Sequence, residues 1–377
     1  MKVLVTGGAG FIGSHLVDLL VAHGHETIVL DGLDPQVHGK GAKEPRLIAE
    51  HVTAGTARFV HGDVADRAVT ARALDGAEAV VHLAAAVGVG QSMYEPFYYV
   101  QNNDTATGVL LDLVVKDRAR IRKLVVASSM SLYGEGAYRC SSCGGTEGKE
   151  RDDAQLAAGQ WEVLCRVCAQ PLVPRGTPET KTADIASVYA ATKQHQEDLF
   201  VAIGRAYRIP TFALRLFNVF GPRQALGNPY TGVAAIFLTR LLNGNAPVVF
   251  EDGLQSRDFV DVRDVAQAIT LALEYEGEGT HVLNVGTGRP QTVLRVAEVL
   301  ARTLGKDLKP QLLRKYRAGD VRHCFADPAR ARAVLGFEAK RRFEDGVPEL
   351  VAWCRAQRPA DTVDASLGEL RQRGLVR

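Results

Sequence analysis

The sequence lacks both a long apolar run and a strong excess of charge. No apolar stretch reaches the ~18 residues of a membrane span, which argues against an integral membrane protein. The formal net charge is only +2 and the basic residues are scattered, so we expect no nucleic-acid or membrane partner. The first residues, MKVLV, run into a glycine-rich turn rather than a signal peptide. We therefore expect a cytoplasmic, reducing compartment.

Apolar strand-like segments alternate with segments of helical periodicity along most of the 377 residues. The predicted strands lie in KVLVT, ETIVLD, ARFVHGDV, AEAVVHLAAA, IRKLVVASS, TFALRLFNVFG and HVLNVGTG. Continuous apolar strands separated by helices form parallel sheets that are covered on both faces. The sequence therefore predicts a doubly wound α/β fold. From about Gly221 the pattern loosens, which indicates a second, smaller domain.

A glycine-rich turn joins the first strand to the first helix. Gly7, Gly10 and Gly13 follow the spacing G-x-x-G-x-x-G, which lets backbone N–H groups approach a pyrophosphate closely. A glycine triplet also occurs in ordinary turns, but Asp31 ends the second strand 18 residues after Gly13 (31 − 13). An acid near that offset accepts from ribose hydroxyls and repels a 2′-phosphate. The pattern therefore indicates NAD rather than NADP.

Further cofactor contacts are predicted in the same turn and just after later strands, in a Rossmann-type domain. Core packing is the alternative explanation for residues at these strand ends. The additional predicted contacts are Phe11, Ile12, Asp63, Val64, Leu83, Ala84 and Ala85.

The segment SVYAATK places Tyr189 and Lys193 four residues apart at the start of a predicted helix, so both lie on one face. A phenol with its ordinary pKa of ~10 is a poor base at neutral pH. A nearby ammonium and a positive nicotinamide ring would stabilise the phenolate, and Lys193 is also placed to hold the nicotinamide ribose. The motif alone is equally compatible with a solvated helix face. Together with the glycine turn it predicts a proton-transfer pair.

At this point the chain resembles the extended short-chain dehydrogenases/reductases, the nucleotide-sugar epimerases and dehydratases. The matching motifs, in order, are TGGAGFIG, GDV, HLAA, SSMSLYG, YAATK, LRLFNVFGPR, RDFVDVRDV and NVGTG. The resemblance implies an NAD-binding Rossmann domain, an α+β domain that binds a nucleoside-diphosphate sugar, and a hydrogen-bonding Ser129 four residues before Tyr133. The predicted bounds are 1–217 with about 256–285 for the first domain, 218–255 with 286–377 for the second, and 137–178 for an insertion.

Met130 and Ser131 separate the reactions that the resemblance allows. Relatives that eliminate water from a sugar carry Asp-Glu after the Ser or Thr, as general acid and base, and relatives that decarboxylate a sugar acid usually have the Glu. A thioether donates no proton, and a hydroxyl is a poor substitute for a carboxylic acid. Epimerisation is the simplest remaining chemistry. Tyr189 would take the proton of the sugar C4 hydroxyl, with Ser129 on the same oxygen, while NAD takes the hydride and returns it to the opposite face.

The resemblance assigns Asn218, Arg257 and Arg317 to the diphosphate and nucleotide, and places Asp320 near the ribose. Guanidinium groups suit phosphate oxygens, although a surface salt bridge is the alternative for each arginine. The predicted substrate contacts near the sugar are Ser129, Met130 and Ser131. The segment GNPYTG, Gly227 to Gly232, is expected to line the sugar pocket.

Four of the six cysteines fall in the insertion, in the pattern C-x2-C-x21-C-x2-C. They are Cys140, Cys143, Cys165 and Cys168. Two such pairs predict a tetrahedral zinc site, and four thiolate ligands leave no open position for substrate, so the zinc would be structural. Redox or accidental thiols are the alternative. We expect the zinc to hold the insertion folded as a lid or rim beside the active site. Cys324 and Cys354 are expected to be plain thiols.

The combination of SSMSLYGEG and a four-cysteine insertion resembles a bacterial subgroup of dTDP-L-rhamnose 4-epimerases, which give 6-deoxy-L-talose. Two further functions stay open: a nucleotide-sugar 4-ketoreductase that consumes NADH, and a non-catalytic NAD-sensing protein whose zinc module recruits a partner. A dehydratase is disfavoured by Met130 and Ser131. Relatives often form homodimers through helices near 104–117 and 188–205, and the same is expected here.

Overall fold

The computed structural model describes residues 1–226, 232–317, 319–357, 359–374 and 376. The strands, in chain order, are β1 (Lys2–Thr6), β2 (Glu26–Asp31), β3 (Ala57–His61), β4 (Ala79–His82), β5 (Lys123–Ser129), β6 (Ala137–Arg139), β7 (Val173–Arg175), β8 (Thr211–Leu216), β9 (Asn218–Phe220), β10 (Val248–Val249), β11 (Ser256–Asp261), β12 (Thr280–Val285), β13 (Pro290–Thr292), β14 (Gln311–Leu312) and β15 (His323–Cys324).

The α-helices, in chain order, are α1 (Phe11–Ala22), α2 (Pro35–His38), α3 (Ala49–Thr53), α4 (Arg67–Leu74), α5 (Val89–Ser92), α6 (Pro96–Tyr99), α7 (Ala106–Lys116), α8 (Asp153–Ala157), α9 (Val188–Tyr207), α10 (Val233–Leu242), α11 (Val262–Glu274), α12 (Val293–Leu304), α13 (Ala329–Leu335), α14 (Phe343–Gln357) and α15 (Val363–Gln372). Short 3₁₀ turns cover Arg46–Ile48 and Met130–Tyr133, and a π-helical turn covers Val100–Thr105. No helix of the described residues combines the length and the apolar character that crossing a membrane requires.

Seven strands form one parallel sheet in the order β12-β8-β5-β4-β1-β2-β3. All seven residues of β5 are buried, because helices cover both faces of the sheet. The strand order reverses between β1 and β4, and the carboxyl ends of strands on the two sides of such a reversal border a ligand crevice. The predicted Rossmann-type doubly wound sheet is confirmed.

The two faces of this sheet are covered by different helices. Helices α1 and α11 pack on one face through Leu16, Leu20 and Ile269. Helices α4, α7 and α9 pack on the other, where Leu110 and Phe200 are fully buried. Helix α9 is therefore held against β5, and its first turn lies beside the carboxyl end of that strand.

A second apolar core lies between α10, α12 and α14 and a small sheet. In that sheet β11 pairs in parallel with β9 and β15 and antiparallel with β13. After β11, the chain returns to the large sheet at residues 280–285. These residues form β12, the edge strand next to β8. The domain bounds given above stay a prediction. Ala331 and Phe337, beyond β12 in the chain, pack into the core of the large sheet.

The insertion begins and ends with the antiparallel pair β6 and β7. Its own small core contains Tyr138, Val163 and Leu172 together with three of the cysteines. Thr177, at its end, forms a bridge with Ala326 just after β15. The insertion therefore contacts the smaller sheet, and the Thr177 carbonyl oxygen also accepts a hydrogen bond from Asn284 in β12 of the large sheet.

Candidate functional site

The glycine turn forms a close backbone cradle at the carboxyl end of β1. Helix α1 begins at Phe11 after Gly10, which lies in extended backbone. Gly7 has φ +69°, and a Cβ there would lie 2.8 Å from the backbone N of Ala84. A Cβ on Gly13 would lie 2.3 Å from the Gly7 carbonyl oxygen. Only glycine fits these positions, so the exposed amides of the helix N-terminus stay open to a pyrophosphate, as NAD binding requires.

Asp31 lies at the end of β2, next to this turn, and is almost completely buried. Its Oδ2 accepts a hydrogen bond from Ala9 N at 3.0 Å, and its Oδ1 accepts from Leu33 N at 2.9 Å. His38 Nε2 lies 3.6 Å from Oδ1. Because a carboxylate has about four acceptor positions, both oxygens keep capacity for ribose hydroxyls.

The other predicted cofactor contacts surround the turn but differ in exposure. Phe11 and Ile12 are half-buried in the first turn of α1. Asp63 is exposed and its Oδ1 accepts from Ala65 N at 2.8 Å, whereas Val64 is buried in the core beneath the sheet. The segment 83–85 is half-buried and follows β4, within contact of the turn. The structure brings all of these positions to the carboxyl ends of the strands. The Val64 side chain, however, faces the core.

Ser129 and Tyr189 meet where β5 and α9 come together. Ser129 is the last residue of β5, and its Oγ accepts from Ser131 N at 3.1 Å. Tyr189 lies in the first turn of α9, which begins after Ser187, whose Oγ accepts from Ala190 N at 3.1 Å. The Ser129 hydroxyl is near enough to the Tyr189 phenol to lower its pKa. The hydroxyl and the phenol predicted to share a substrate oxygen are therefore neighbours.

Burial controls the protonation of Tyr189 and Lys193. It raises the pKa of the Tyr189 phenol to about 12, and the Ser129 hydroxyl opposes the rise. It lowers the pKa of Lys193 to about 7, and the nearby Asp104 carboxylate opposes that fall. The Lys193 ammonium donates to Gln196 Oε1 at 2.6 Å. The protein groups alone therefore favour a neutral phenol, and a further positive charge beside it is needed to produce the phenolate.

A buried polar chain continues from Gln196 into the sheet. Gln196 Nε2 donates to Thr107 Oγ1 at 2.8 Å and lies 3.0 Å from His82 Nε2, and His82 Nδ1 lies 2.7 Å from Thr6 Oγ1. Burial lowers the pKa of His82 to about 3, and the charge of Lys193 adds to the effect, so the imidazole is neutral. Sequence reasoning missed these residues, although Gln196 lies seven residues after Tyr189 on the same helical face.

Two of the predicted substrate residues carry buried polar atoms without a partner among the described residues. They are Ser131 Oγ and Asn218 Oδ1. Ser131 lies in the 3₁₀ turn directly after Ser129, together with Met130. Asn218 begins β9 and pairs with Phe259, two residues after Arg257. Buried polar atoms normally find partners, so these two are available to a ligand.

Arg257, Arg317 and Asp320 form one group beside β11 of the smaller sheet. Arg317 Nη2 donates to Asp320 Oδ2 at 3.0 Å, and Arg257 Nη2 lies 3.7 Å from Asp320 Oδ1. Burial alone would raise the pKa of Asp320, but Arg317 and Arg257 more than offset this, and its pKa is lowered. Gly319 places this group beside the start of α9, since a Cβ there would lie 3.2 Å from the carbonyl oxygen of Ala186.

The C-terminal segment also reaches this group, which the sequence did not indicate. Val376 forms an isolated bridge with Arg317 and packs with Phe250 and Leu370. Arg373 lies over the ring of Tyr94, 4.0 Å from its centroid. The chain just after α15 therefore contacts both Arg317 and Tyr94. Most of the predicted sugar-pocket segment GNPYTG, at 227–231, lies outside the described residues.

The four cysteines of the insertion converge on one point. Their Sγ atoms all lie within 4.8 Å of one another. Cys140 and Cys168 Sγ are 3.4 Å apart, and Cys143 and Cys165 Sγ are 3.5 Å apart. These separations exclude disulfides and approach the ~3.8 Å of sulfurs around a tetrahedral zinc.

Backbone amides favour the thiolate form of the first cysteine in each pair. The amide of Cys143 is the main cause that lowers the pKa of Cys140 to about 6, and the amide of Cys168 likewise lowers the pKa of Cys165. In Cys143 and Cys168 backbone amides act in the same direction, but hydrogen bonds with neighbouring thiols outweigh them and the pKa is raised. Metal ligation requires deprotonated thiols. The donor set therefore fits a metal ion.

Comparisons with known proteins place this site in a family. A family model described as the NAD dependent epimerase/dehydratase family matches residues 3–151 and 168–286. The dTDP-L-rhamnose 4-epimerase of Burkholderia thailandensis is 35% identical over 354 residues, 93% of this chain and 94% of that protein. The UDP-glucose 4-epimerase of Bacillus subtilis is 29% identical over 374 residues, 94% of this chain and 96% of that protein.

Solved structures agree with these relatives. The UDP-glucose 4-epimerase of Thermotoga maritima with UDP-glucose has a TM-score of 0.75 and 31% identity, covering 95% of this chain and 99% of that chain. The UDP-glucose 4-epimerase of Thermus thermophilus with NAD has a TM-score of 0.71 and 31% identity, covering 94% and 99%. The family model spans more than half of this sequence, and the two solved structures are matched over 99% of their length. The chain therefore belongs to the NAD-dependent epimerase/dehydratase family.

Proposed function

We propose that this protein is an NAD-dependent nucleoside-diphosphate-sugar 4-epimerase. The observation that carries the proposal is that Ser129, at the end of β5, is a neighbour of Tyr189, at the start of α9, and that Met130 and Ser131 directly follow Ser129. Ser129 and Tyr189 can move a proton at a sugar hydroxyl. The two residues after Ser129 carry neither a carboxylic acid nor a carboxylate, which the elimination of water would need.

The glycine turn would hold the pyrophosphate of NAD, Asp31 the adenosine ribose, and Lys193 the nicotinamide ribose. Bound NAD would supply a hydride acceptor and donor and a positive ring beside the phenol. Tyr189 as phenolate would accept the proton of the C4 hydroxyl and later return it. Ser129 would hold the same oxygen in position. Tyr189 is only 9% exposed, so its phenol is largely shielded from bulk water.

The nucleotide would bind to the group formed by Arg257, Arg317 and Asp320, with the sugar facing Ser131 and Asn218. Two guanidinium groups suit a diphosphate, and the Asp320 carboxylate suits a ribose hydroxyl. The similarity to the Burkholderia thailandensis enzyme favours dTDP-L-rhamnose as substrate and its C4 epimer, the 6-deoxy-L-talose derivative, as product. UDP-hexoses are the next candidates, given the UDP-glucose 4-epimerases among the relatives.

We further propose that the four cysteines bind one structural zinc ion. The support is the single cluster of four sulfurs and the amide-stabilised thiolates of Cys140 and Cys165. Four protein ligands would leave no position for substrate. Cysteines that form no disulfide are typical of a reducing compartment, and we propose the cytoplasm. A homodimer through the exposed faces of α7 and α9 is also proposed, following the family resemblance.

The test is an NMR assay of the purified protein with a panel of dTDP- and UDP-sugars in deuterated water. A 4-epimerase inverts C4, retains the hydrogen at that carbon and needs no added NADH. Solvent deuterium at the inverted carbon would indicate enolisation and refute the proposal. Stoichiometric consumption of NADH would support the 4-ketoreductase, and no turnover of any sugar would favour the non-catalytic NAD-sensing protein.

A further inference from the structure

Arg151 lies inside the four-cysteine insertion. It connects the insertion to the chain segment that starts at Tyr316, ends at Arg322 and contains Arg317 and Asp320, which we expect to bind the nucleotide. Only 6% of its side chain is exposed. Its Nη2 donates to the backbone carbonyl oxygen of Asp320 at 2.6 Å, and its Nη1 donates to Glu251 Oε1 at 2.8 Å. Nη1 also lies 3.2 Å from the carbonyl oxygen of Trp161. One buried guanidinium thus joins three parts of the chain.

The start of the same segment packs on the insertion through apolar side chains. Leu156, Trp161 and Tyr316 form a separate buried cluster. The Tyr316 hydroxyl donates to Asp153 Oδ1 at 3.0 Å. Helix α8 and the chain after it therefore cover Tyr316, directly before Arg317.

The end of the segment is held by the insertion as well. Arg322 has no exposed side-chain surface, and its Nε donates to Glu162 Oε1 at 3.0 Å. Its Nη1 donates to Glu251 Oε2 at 2.9 Å and to Asp252 Oδ1 at 2.7 Å. Glu251 accepts from both Arg151 and Arg322, so the two arginines form one buried ionic network.

On its other side the segment carries the groups expected to meet the nucleotide. Arg257 Nη2 donates to the carbonyl oxygen of Val321 at 2.5 Å, and Arg317 is paired with the Asp320 carboxylate. The backbone of Asp320 is thus fixed from the insertion by Arg151, while its side chain faces Arg317. Hydrogen bonds from a charged donor in a buried site are strong and directional.

Resting on the proposed nucleotide-sugar function, we propose that Arg151 is a positioning residue for the nucleotide. It acts through the backbone of Asp320, and the zinc insertion serves as a support for nucleotide binding rather than as part of the proton chemistry. Tyr189 and Ser129 lie outside the hydrogen bonds of this network. Loss of Arg151 should therefore weaken binding of the nucleotide and leave the turnover step intact.

The test compares Arg151→Gln, Arg151→Lys and, as a matched control, Arg166→Gln, whose exposed side chain lies in the same insertion. Calorimetric titration of dTDP and of UDP gives Kd, and the epimerase assay gives kcat and KM. Arg151→Gln should raise Kd and KM about tenfold, with kcat within about twofold of wild type. Arg151→Lys keeps the positive charge beside Glu251 but loses the two separate guanidinium donors, so its Kd should lie between those of wild type and Arg151→Gln. Arg166→Gln should match wild type.

Arg151→Lys decides the question if Arg151→Gln does not fold. A folded Arg151→Lys protein with wild-type Kd for both nucleotides would overturn the inference. A fall of kcat with unchanged KM in the Arg151 variants would also overturn the inference, because it indicates a general structural role. Wild-type protein that binds neither nucleotide would instead refute the proposed function, whereas turnover by wild type with unaffected Arg151 variants would refute only the positioning role.

Discussion

The Lys193 ammonium donates to Gln196 Oε1 at 2.6 Å, and both side chains are buried. Gln196 is in turn hydrogen-bonded to Thr107 and lies beside neutral His82. The position of the ammonium expected to support Tyr189 is therefore set by a chain of uncharged groups beneath the helix. These partners are neutral, and the nearby Asp104 carboxylate only partly offsets the lowering of the Lys193 pKa by burial, so the protonation of Lys193 depends on what binds beside it.

Replacing Gln196 should impair turnover without releasing the cofactor. Gln196→Leu removes the acceptor of Lys193 and leaves its ammonium unsatisfied, so kcat should fall about tenfold or more. The NAD content of the purified protein should stay near that of wild type. Gln194→Leu, two residues earlier with its amide paired to exposed Asp198, is the control and should retain activity. Normal kcat in Gln196→Leu would contradict this role.

Lys193 should make the free energy of unfolding depend on alkaline pH. Its pKa of about 7 in the folded protein compares with an ordinary value of 10.5. Between these values the unfolded chain binds more protons, so stability rises as the pH rises. Urea unfolding at about pH 7 and about pH 9 should show a gain of about 2 kcal/mol in wild type that Lys193→Met loses. An equal pH response in both proteins would argue against the lowered pKa.

Tyr189→Phe should abolish most of the activity while the fold and the bound cofactor remain. The substitution removes the only atom of the side chain that can carry the proton, and general-base groups contribute about 10²–10⁴-fold. The change is measured as kcat with the best sugar of the panel. Tyr207→Phe, an exposed tyrosine at the end of the same helix, should be neutral. Retained kcat in Tyr189→Phe would refute the role of Tyr189 as the group that accepts the proton of the sugar hydroxyl.

Gly13→Ala should prevent NAD from being retained. The new Cβ would lie 2.3 Å from the Gly7 carbonyl oxygen and 2.5 Å from Gly8 Cα, so the backbone of the turn must shift. Absorbance and mass spectrometry of the denatured protein would measure the loss of cofactor. Gly368→Ala is the control, because nothing lies within 4 Å of a Cβ at that helical position. Full NAD occupancy in Gly13→Ala would contradict the binding of NAD at the glycine turn.

Removing two zinc ligands should lower metal content and stability together. The double variant Cys140→Ser, Cys165→Ser replaces the two thiols whose pKa is lowered by backbone amides. Zinc per chain, measured by atomic emission, should fall from one to near none, and Tm should fall. Cys354→Ser, at a buried thiol far along the chain, should keep its zinc. Unchanged zinc content in the double variant would refute the metal site.

The local patterns that the sequence determined were those in which neighbouring residues act together. The glycine turn followed by an apolar helix, the strands of continuous apolar residues, and the two Cys-x-x-Cys pairs each depend on contacts within a few residues. The Rossmann-type sheet and the convergence of the four cysteines could therefore be predicted from the spacing of residues in the sequence. These cysteines are Cys140, Cys143, Cys165 and Cys168. The predicted roles of Ser129, Tyr189 and Lys193 rest on the same kind of local signal and await the experiments above.

The tertiary structure decided which distant residues surround these motifs. Arg151 and Asp320 are 169 positions apart, and no local periodicity connects them. Gln196 and His82 are separated by 114 positions and meet only because α9 packs on the sheet beside β4 and β5. A buried charge or amide finds its partner wherever the chain brings one within hydrogen-bond distance. The packing of whole helices and strands determines which distant polar residues become partners. In the linear sequence these residues are only isolated polar positions.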